Sequence, residues 1–205
     1  MRWTPPAQPR RKSEVMTHDA WTVAPEPFDS PDAVALWREC YTHMSDSWYL
    51  LKENRRTDPD ELEREIAADP GTEFAPPGGA LVIARYEGAA AGIAGVRLLD
   101  DGEPDGAGPG DAGSGGAAPA DTRPADARAE LKRVYLRPEF RGRGGAALIV
   151  SAAEDEARRL GATRMVLETR SDFVAARALY ERLGYDEIEP YTFAQYSEHW
   201  YGKKL

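Results

Sequence analysis

Glu130-Leu131-Lys132-Arg133-Val134-Tyr135-Leu136-Arg137-Pro138-Glu139-Phe140-Arg141-Gly142-Arg143-Gly144-Gly145-Ala146 is the stretch from which the fold can be read. It reads as a β-strand, a proline-marked exit and a basic, glycine-rich turn. The apolar run from Ala146 to Val150 then opens a helix. Amide groups at a helix start have no intrahelical acceptor, and the helix dipole adds partial positive charge there. Glycines let the backbone come close to a ligand. Such a turn suits a phosphate or pyrophosphate, and Arg141 and Arg143 add formal positive charge at its rim.

Three phosphate-binding patterns can be laid on this turn. A P-loop requires Gly-Lys-Ser/Thr, and neither Gly144 nor Gly145 is followed by it. Gly142-x-Gly144-x-x-Ala147 fits the relaxed dinucleotide pattern, but that fingerprint follows its strand almost directly. Here residues 137–141 intervene, and the preceding strand is charged, unlike a buried parallel strand. The third pattern is Arg141-x-x-Gly144-x-Ala146. A strand-to-helix connector with surface arginines and no ligand is the plain alternative.

A second block lies downstream. Met165-Val166-Leu167-Glu168-Thr169 reads as a short buried strand. Ser171 or Asp172 can cap the next helix. Ala176, Leu179, Tyr180 and Leu183 fall on one face of it, and Gly184 stops it. With the string Ala176-Arg177-Ala178-Leu179-Tyr180-Glu181-Arg182-Leu183-Gly184-Tyr185, the chain resembles the GNAT N-acetyltransferase superfamily. That superfamily has an acyl-CoA pyrophosphate loop, Q/R-x-x-G-x-G/A, followed at this distance by A-x-x-L-Y-x-x-x-G-F/Y. The resemblance covers roughly residues 21–205. It implies an α/β fold with a mixed central β-sheet flanked by helices and a splayed pair of strands holding acyl-CoA. Phe173 departs from the pattern, because the family often has an asparagine there that contacts the pantetheine arm.

The rest of the chain agrees with an α/β domain. Trp21-Thr22-Val23 suggests a first strand. Ser30-Pro31 opens a helix on which Val34, Trp37, Tyr41, Met44, Trp48 and Leu51 alternate steps of three and four. Asp58-Pro59-Asp60-Glu61 resembles a capping box for a shorter helix marked by Leu62 and Ile66. Residues 80–86 and 92–99 read as strands joined near Glu87-Gly88, and two short strands are expected at 185–188 and 199–205. Residues 1–20 are expected to form a disordered N-terminal extension, with Met16 as an alternative start. Residues 100–128 shift to Gly, Ala, Pro and Asp and are expected to be a mobile loop inserted in the domain.

Composition narrows the function. The 205 residues carry a net charge of −9, which disfavours nucleic acid and anionic membranes as partners. No apolar run reaches transmembrane length. Cys40 is the single cysteine, so no disulfide framework forms within the chain, pointing to a reducing cytoplasmic location. His43 and His199 have no metal-ligand spacing, so no metal site is expected.

The resemblance implies acetyl-CoA as co-substrate, held by Arg141, Gly142, Arg143, Gly144, Gly145 and Ala146. It also places an oxyanion-stabilising backbone around Val134, Tyr135 and Leu136. Tyr180 is the implied general acid for the leaving thiolate, with a core tyrosine as its alternative. Glu130 is a candidate general base if burial raises its pKa, or else an exposed strand-end residue paired with Lys132 or Arg133. Glu168 is a further candidate. Trp48, Tyr49, Tyr191, Phe193 and Tyr196 could enclose an amine or serve as packing. The expected activity is N-acetylation of a primary amine on a small molecule, by direct attack in a ternary complex. Alternatives are a protein-lysine or N-terminal acetyltransferase, or a non-catalytic acyl-CoA-binding sensor. A monomer or homodimer is compatible with the sequence.

Overall fold

The computed structural model describes residues 16–18, 20–99, 127–192 and 196–205. The expectations for the chain before residue 16, for the loop over 100–126 and for Phe193 lie outside the described residues.

Eight strands form one sheet in the order β1-β2-β3-β4-β5-β6-β8-β7. They are β1 (Met16–His18), β2 (Trp21–Pro25), β3 (Gly79–Tyr86), β4 (Ala89–Leu98), β5 (Arg128–Leu136), β6 (Arg164–Thr169), β7 (Asp186–Glu187) and β8 (His199–Lys204). The helices are α1 (Pro31–Glu53), α2 (Pro59–Ala68), α3 (Gly145–Arg159) and α4 (Val174–Arg182). The sequence suggests this order except for β1, which lies in the stretch expected to be disordered and instead pairs with β2. The other boundary of the insertion also moves, because Arg128 already belongs to β5.

Local chemistry sets the element ends. The Ser30 hydroxyl accepts from the Ala33 amide at 3.2 Å, and Pro31 follows at the first helical position. Asp58 accepts from the amides of Asp60 and Glu61. The reciprocal half of a capping box is missing, because Glu61 accepts instead from the Tyr49 hydroxyl. Helix α4 begins later than its sequence suggests: Phe173 is the cap and neither Ser171 nor Asp172 fills that place. Asp172 is held by Arg170, and the Ser171 hydroxyl lies 3.0 Å from His199.

Alternation along the strands divides the core. Val82, Ala84, Val96, Leu131, Met165 and Leu167 pack with α3 and with Tyr180 of α4 on one face. Leu81, Ile83, Ile93 and Tyr135 pack with α1 on the other. The buried row of α1 is Ala33, Leu36, Trp37, Cys40 and Tyr41. It shares only Trp37 and Tyr41 with the row expected from Val34 to Leu51; Val34 and Leu51 are 55% and 60% exposed. Small Ala33 and Cys40 let the helix lie close to the sheet, so it turns that row inward rather than the bulkier one.

Among the described residues the one parallel pair, β5 with β6, is joined along Arg128–Glu130 and Arg164–Val166. Beyond Glu130, β5 continues with β4 and β6 continues with β8. The sheet therefore opens between β5 and β6. Strand β5 also bulges at the opening: register passes from Gly95↔Lys132 to Ile93↔Tyr135. Arg133 lies in the bulge with φ 57°, a left-handed conformation uncommon for any side chain but glycine.

Candidate active site

The glycine-rich turn leads from β5 into α3. Gly142 and Gly144 have φ of 76° and 82°, and a Cβ at either would meet nothing within 4 Å. They are needed for the backbone path, with open space in front of them. Gly145 is needed for the opposite reason, since its Cβ would come within 2.4 Å of the Trp21 ring. Trp21 also donates its indole N–H to the Arg143 carbonyl at 2.9 Å, fixing the turn to β2. Among the described residues, no acceptor meets the amides of residues 142–146; the first helical bonds are those of Ala147 and Leu148 to the Gly144 carbonyl. Arg141, Gly142, Arg143 and Gly144 are exposed. The result is a row of open donors at a helix N-terminus, rimmed by guanidinium groups, which fits a pyrophosphate.

The exit of β5 is firmly tied. Arg137 makes a two-pronged pair with Glu39 of α1, and its third contact is the Ala90 carbonyl at 2.6 Å. The Arg137 amide bonds to Ala91. The Leu136 carbonyl accepts from Arg141 Nε at 2.9 Å, so it points away from β4. In an extended strand the N–H and C=O of one residue share a side, which aims the Leu136 amide at the opening. Leu136 is thus one of the positions 134–136 whose amide has the orientation that stabilisation of an oxyanion needs.

Tyr180 of α4 is buried in the core cluster that also holds Leu131 of β5 and Leu167 of β6. Its ring packs on Tyr185 and Tyr201. Burial raises its hydroxyl pKa, and Cys40 of α1, from the other side of the sheet, adds to that. The phenol is thereby kept protonated. The Cys40 thiol is itself pushed up to about 12 by burial, and it lies 3.9 Å from the Arg133 carbonyl. It is a packed side chain with no thiolate character.

Glu130 is not the exposed strand-end residue that one alternative described. It is 2% exposed and receives Arg97 Nε at 2.7 Å and the Tyr191 hydroxyl at 3.0 Å. Burial alone would raise its pKa, but Lys132, Arg97 and these hydrogen bonds outweigh burial and hold it below the ordinary carboxylate range. The raised pKa expected for Glu130 is therefore corrected: a buried carboxylate with two cationic neighbours stays ionised. Arg133 is not its partner either, having turned away in the bulge to Asp69. Glu168 behaves oppositely. Burial raises its pKa and nearby Glu130 adds to this, while Lys132 counters only in part. Its Oε2 is buried without a hydrogen-bond partner. Two neighbouring carboxylates with pKa values pushed apart are a recognised arrangement for acid–base work.

The four described aromatic candidates separate. Trp48 packs edge-on against Tyr49 and Tyr196, and Arg55 lies over Tyr49. Tyr191 is buried on Glu130. A cleft of about 460 Å³ runs along α1 past His43, Ser47 and Tyr135. His43 is held below its ordinary pKa by burial, then by Arg141 and Arg170, and it stacks on Phe173. Among the described residues no His, Cys, Asp and Glu side chains converge to hold a metal ion, and no helix is long and apolar enough to cross a membrane.

Sequence reasoning named Lys132 as a partner of Glu130, and the two lie 3.6 Å apart, but it missed the part Trp21 plays at the turn and the Arg133–Asp69 pair. Arg133 donates to Asp69 and to the Tyr41 hydroxyl, with its guanidinium over the Tyr41 ring. These groups come from α1, the α2 exit and β5, so no sequence spacing announces them.

Comparison with known proteins agrees with this geometry. The Acetyltransferase (GNAT) family model matches residues 34–185, and the chain belongs to that family. It is 31% identical over 127 residues to the uncharacterized N-acetyltransferase YjgM of Escherichia coli, covering 60% of this chain and 63% of that protein. It is 33% identical over 125 residues to the uncharacterized N-acetyltransferase C1271.07c of Schizosaccharomyces pombe, covering 60% and 62%. The match thus spans less than two thirds of the length of either relative. Among solved structures, the PaiA N-acetyltransferase of Thermoplasma acidophilum, in complex with coenzyme A, shares the fold with a TM-score of 0.59. The identity there is 12%, and the match covers 90% of this chain and 99% of that one.

Proposed function

We propose that this protein is an acetyl-CoA-dependent N-acetyltransferase that acts on a primary amine, by direct attack in a ternary complex. The observation that carries the proposal is the open row of amides at residues 142–146, following the strand that parts from β6 beyond Glu130. Acetyl-CoA supplies an activated acetyl group. The amides of residues 142–146, with Arg141 and Arg143, bind its pyrophosphate. The Leu136 amide meets the negative charge that develops on the carbonyl oxygen; a fixed dipole needs no reorganisation to do so. Glu168, its pKa raised, accepts the proton of the incoming ammonium. Glu130 stays ionised and orders Arg97 and Tyr191 around it. Tyr180, kept neutral, gives its proton to the departing sulfur.

A small-molecule acceptor and a cytoplasmic setting remain part of this reading, supported by the acidic charge and the single buried cysteine. A second reading, a sensor that binds acyl-CoA without turnover, draws support from Phe173. It stacks on His43 and lies under Arg170, so that position is shaped by an aromatic stack in place of an asparagine amide. Calorimetry with acetyl-CoA tests the cofactor claim common to both readings. Saturable binding is expected, and its absence at millimolar acetyl-CoA would end both.

A further inference from the structure

The β5–β6 face around Glu168 holds polar atoms that the protein itself leaves without a hydrogen bond. Glu168 Oε2 is buried and has no hydrogen-bond partner. Directly across the β6–β8 ladder stands Trp200, whose indole N–H is also buried and unpartnered. On the β5 side lies Lys132. Its ammonium is 3.6 Å from Glu130 Oε2 and 3.9 Å from Glu168 Oε1, near enough for attraction but beyond hydrogen-bonding distance. Among the described residues it makes no hydrogen bond. Glu168 Oε2 is thus an open acceptor beside the open Trp200 N–H, while Ser197 hydrogen-bonds the Glu168 carboxyl and Lys132 is ion-paired with both carboxylates but hydrogen-bonded to neither; Lys132 and Glu168 are only 21% and 15% exposed.

Open groups of this kind are costly. A buried donor or acceptor left unmade loses its hydration with no bond in return, and the cost is greater when it is charged. A simple amine would satisfy Glu168 and leave both donors as they were. A ligand carrying an oxygen anion beside its ammonium would satisfy acceptor and donor together. Glu130 and Glu168 attract the Lys132 ammonium without hydrogen-bonding it, and the Trp200 N–H has no acceptor. Glu130 is engaged by Arg97 and Tyr191, and Asp69 by Arg133 and Tyr41. Glu73, which faces Arg97 and Lys132, is itself pushed towards its neutral form by burial.

We infer that the acceptor is an α-amino acid, its ammonium on Glu168 Oε2 and its carboxylate on the Lys132 ammonium or the Trp200 N–H. This inference rests on the acetyltransferase reading and names the substrate class of the same site. The ammonium loses one proton to Glu168. The freed nitrogen lone pair forms the C–N bond of a tetrahedral adduct; as the C–S bond of the thioester breaks, the thiolate leaves with the Tyr180 proton, and the second proton lost from nitrogen passes to solvent as the phenol regains one. The carboxylate stays bound throughout and determines which amines are accepted.

The test uses the full chain with acetyl-CoA and the common L-amino acids, each beside its own carboxamide. The carboxamide keeps the α-amine and removes only the negative charge. We expect at least one amino acid to exceed its carboxamide in kcat/KM by about tenfold or more, the usual value of a charge-assisted hydrogen bond. Lys132→Met should collapse that ratio towards one; if it does not fold, Trp200→Phe is the second variant, and loss of the preference in it supports the inference equally. Carboxamides or simple amines used as well as every amino acid would overturn the inference and leave the transferase intact. A preference unchanged in both variants would also overturn it. Saturable acetyl-CoA binding with no transfer to any amine would overturn it together with the transferase reading.

Discussion

Tyr191 donates its hydroxyl to Glu130 Oε1 across 3.0 Å, and both side chains are buried. With Arg97 on the other oxygen, Glu130 has its hydrogen bonds filled. Glu168, one strand away, does not. The division of labour between these carboxylates follows from that difference and can be read in a pH profile.

The Glu168 pKa is raised above its ordinary 4.5, so the carboxylate takes up a proton at a higher pH than a free glutamate would. A base works only when deprotonated. Activity should therefore be full above the raised value and fall as pH drops through it. Glu168→Gln should lower kcat/KM by about 10²-fold or more and abolish that acid limb. Glu130→Gln should keep the limb but move it to lower pH, because the Glu130 carboxyl is ionised and its charge is one of the causes that raise the Glu168 pKa. An unchanged acid limb in Glu168→Gln would remove Glu168 from the role.

Tyr180→Phe deletes one hydroxyl from a packed ring. Fold and acetyl-CoA affinity should be retained, and kcat should fall by about 10²-fold or more. The loss should shrink with an acyl donor whose thiolate leaves readily, since such a group needs the proton less. Wild-type kcat at saturating acetyl-CoA would reduce Tyr180 to a packing residue against Tyr185 and Tyr201.

Gly144→Asp places a carboxylate where the open amides converge. Space is not the obstacle, since a Cβ there meets nothing within 4 Å, but φ of 82° and the charge are. Gly144→Asn carries the same backbone cost, on the order of 1 kcal/mol, without the charge. Calorimetry should show acetyl-CoA affinity falling far more in the aspartate variant than in the asparagine one. Equal, wild-type-like affinities in both folded proteins would refute the phosphate-binding assignment.

Arg133 ties the bulge of β5 to α1 and α2 through Asp69 and Tyr41. Arg133→Met leaves Asp69 without its counter-charge. Because 22% of the Arg133 side chain still reaches solvent, a loss of about 3 kcal/mol is expected, the low end for a broken buried pair. Urea unfolding measures it. Asp69→Asn in the same background should restore part of the stability, since the stranded charge is then gone. No recovery would mean that the cost lies in backbone strain at φ 57° rather than in the ion pair.

Much of this architecture is legible in the chain because its signals are local. Ser30-Pro31 and Asp58-Pro59 cap their helices as written, and Glu87-Gly88 turns β3 into β4 with both residues at positive φ. The run from Arg141 to Ala146 announces a strand, a turn and a helix start within a few residues. What the chain conceals is long-range. Arg133 looks like a strand residue until the bulge turns it towards Asp69, 64 positions away. Gly145 looks like one glycine among several until Trp21 is seen against it. Glu130 and Glu168 are equivalent letters; only burial with or without Arg97 and Tyr191 drives their pKa values apart.

The most direct measurement is thiol release from acetyl-CoA with the purified chain and a broad panel of primary amines, with mass analysis of the products. We expect at least one amine to gain an acetyl group, one thiol released per acetyl transferred, and the rate to depend on Tyr180. Acetyl-CoA bound tightly but turned over with no amine in the panel would contradict the transferase reading and leave a protein that only senses its ligand.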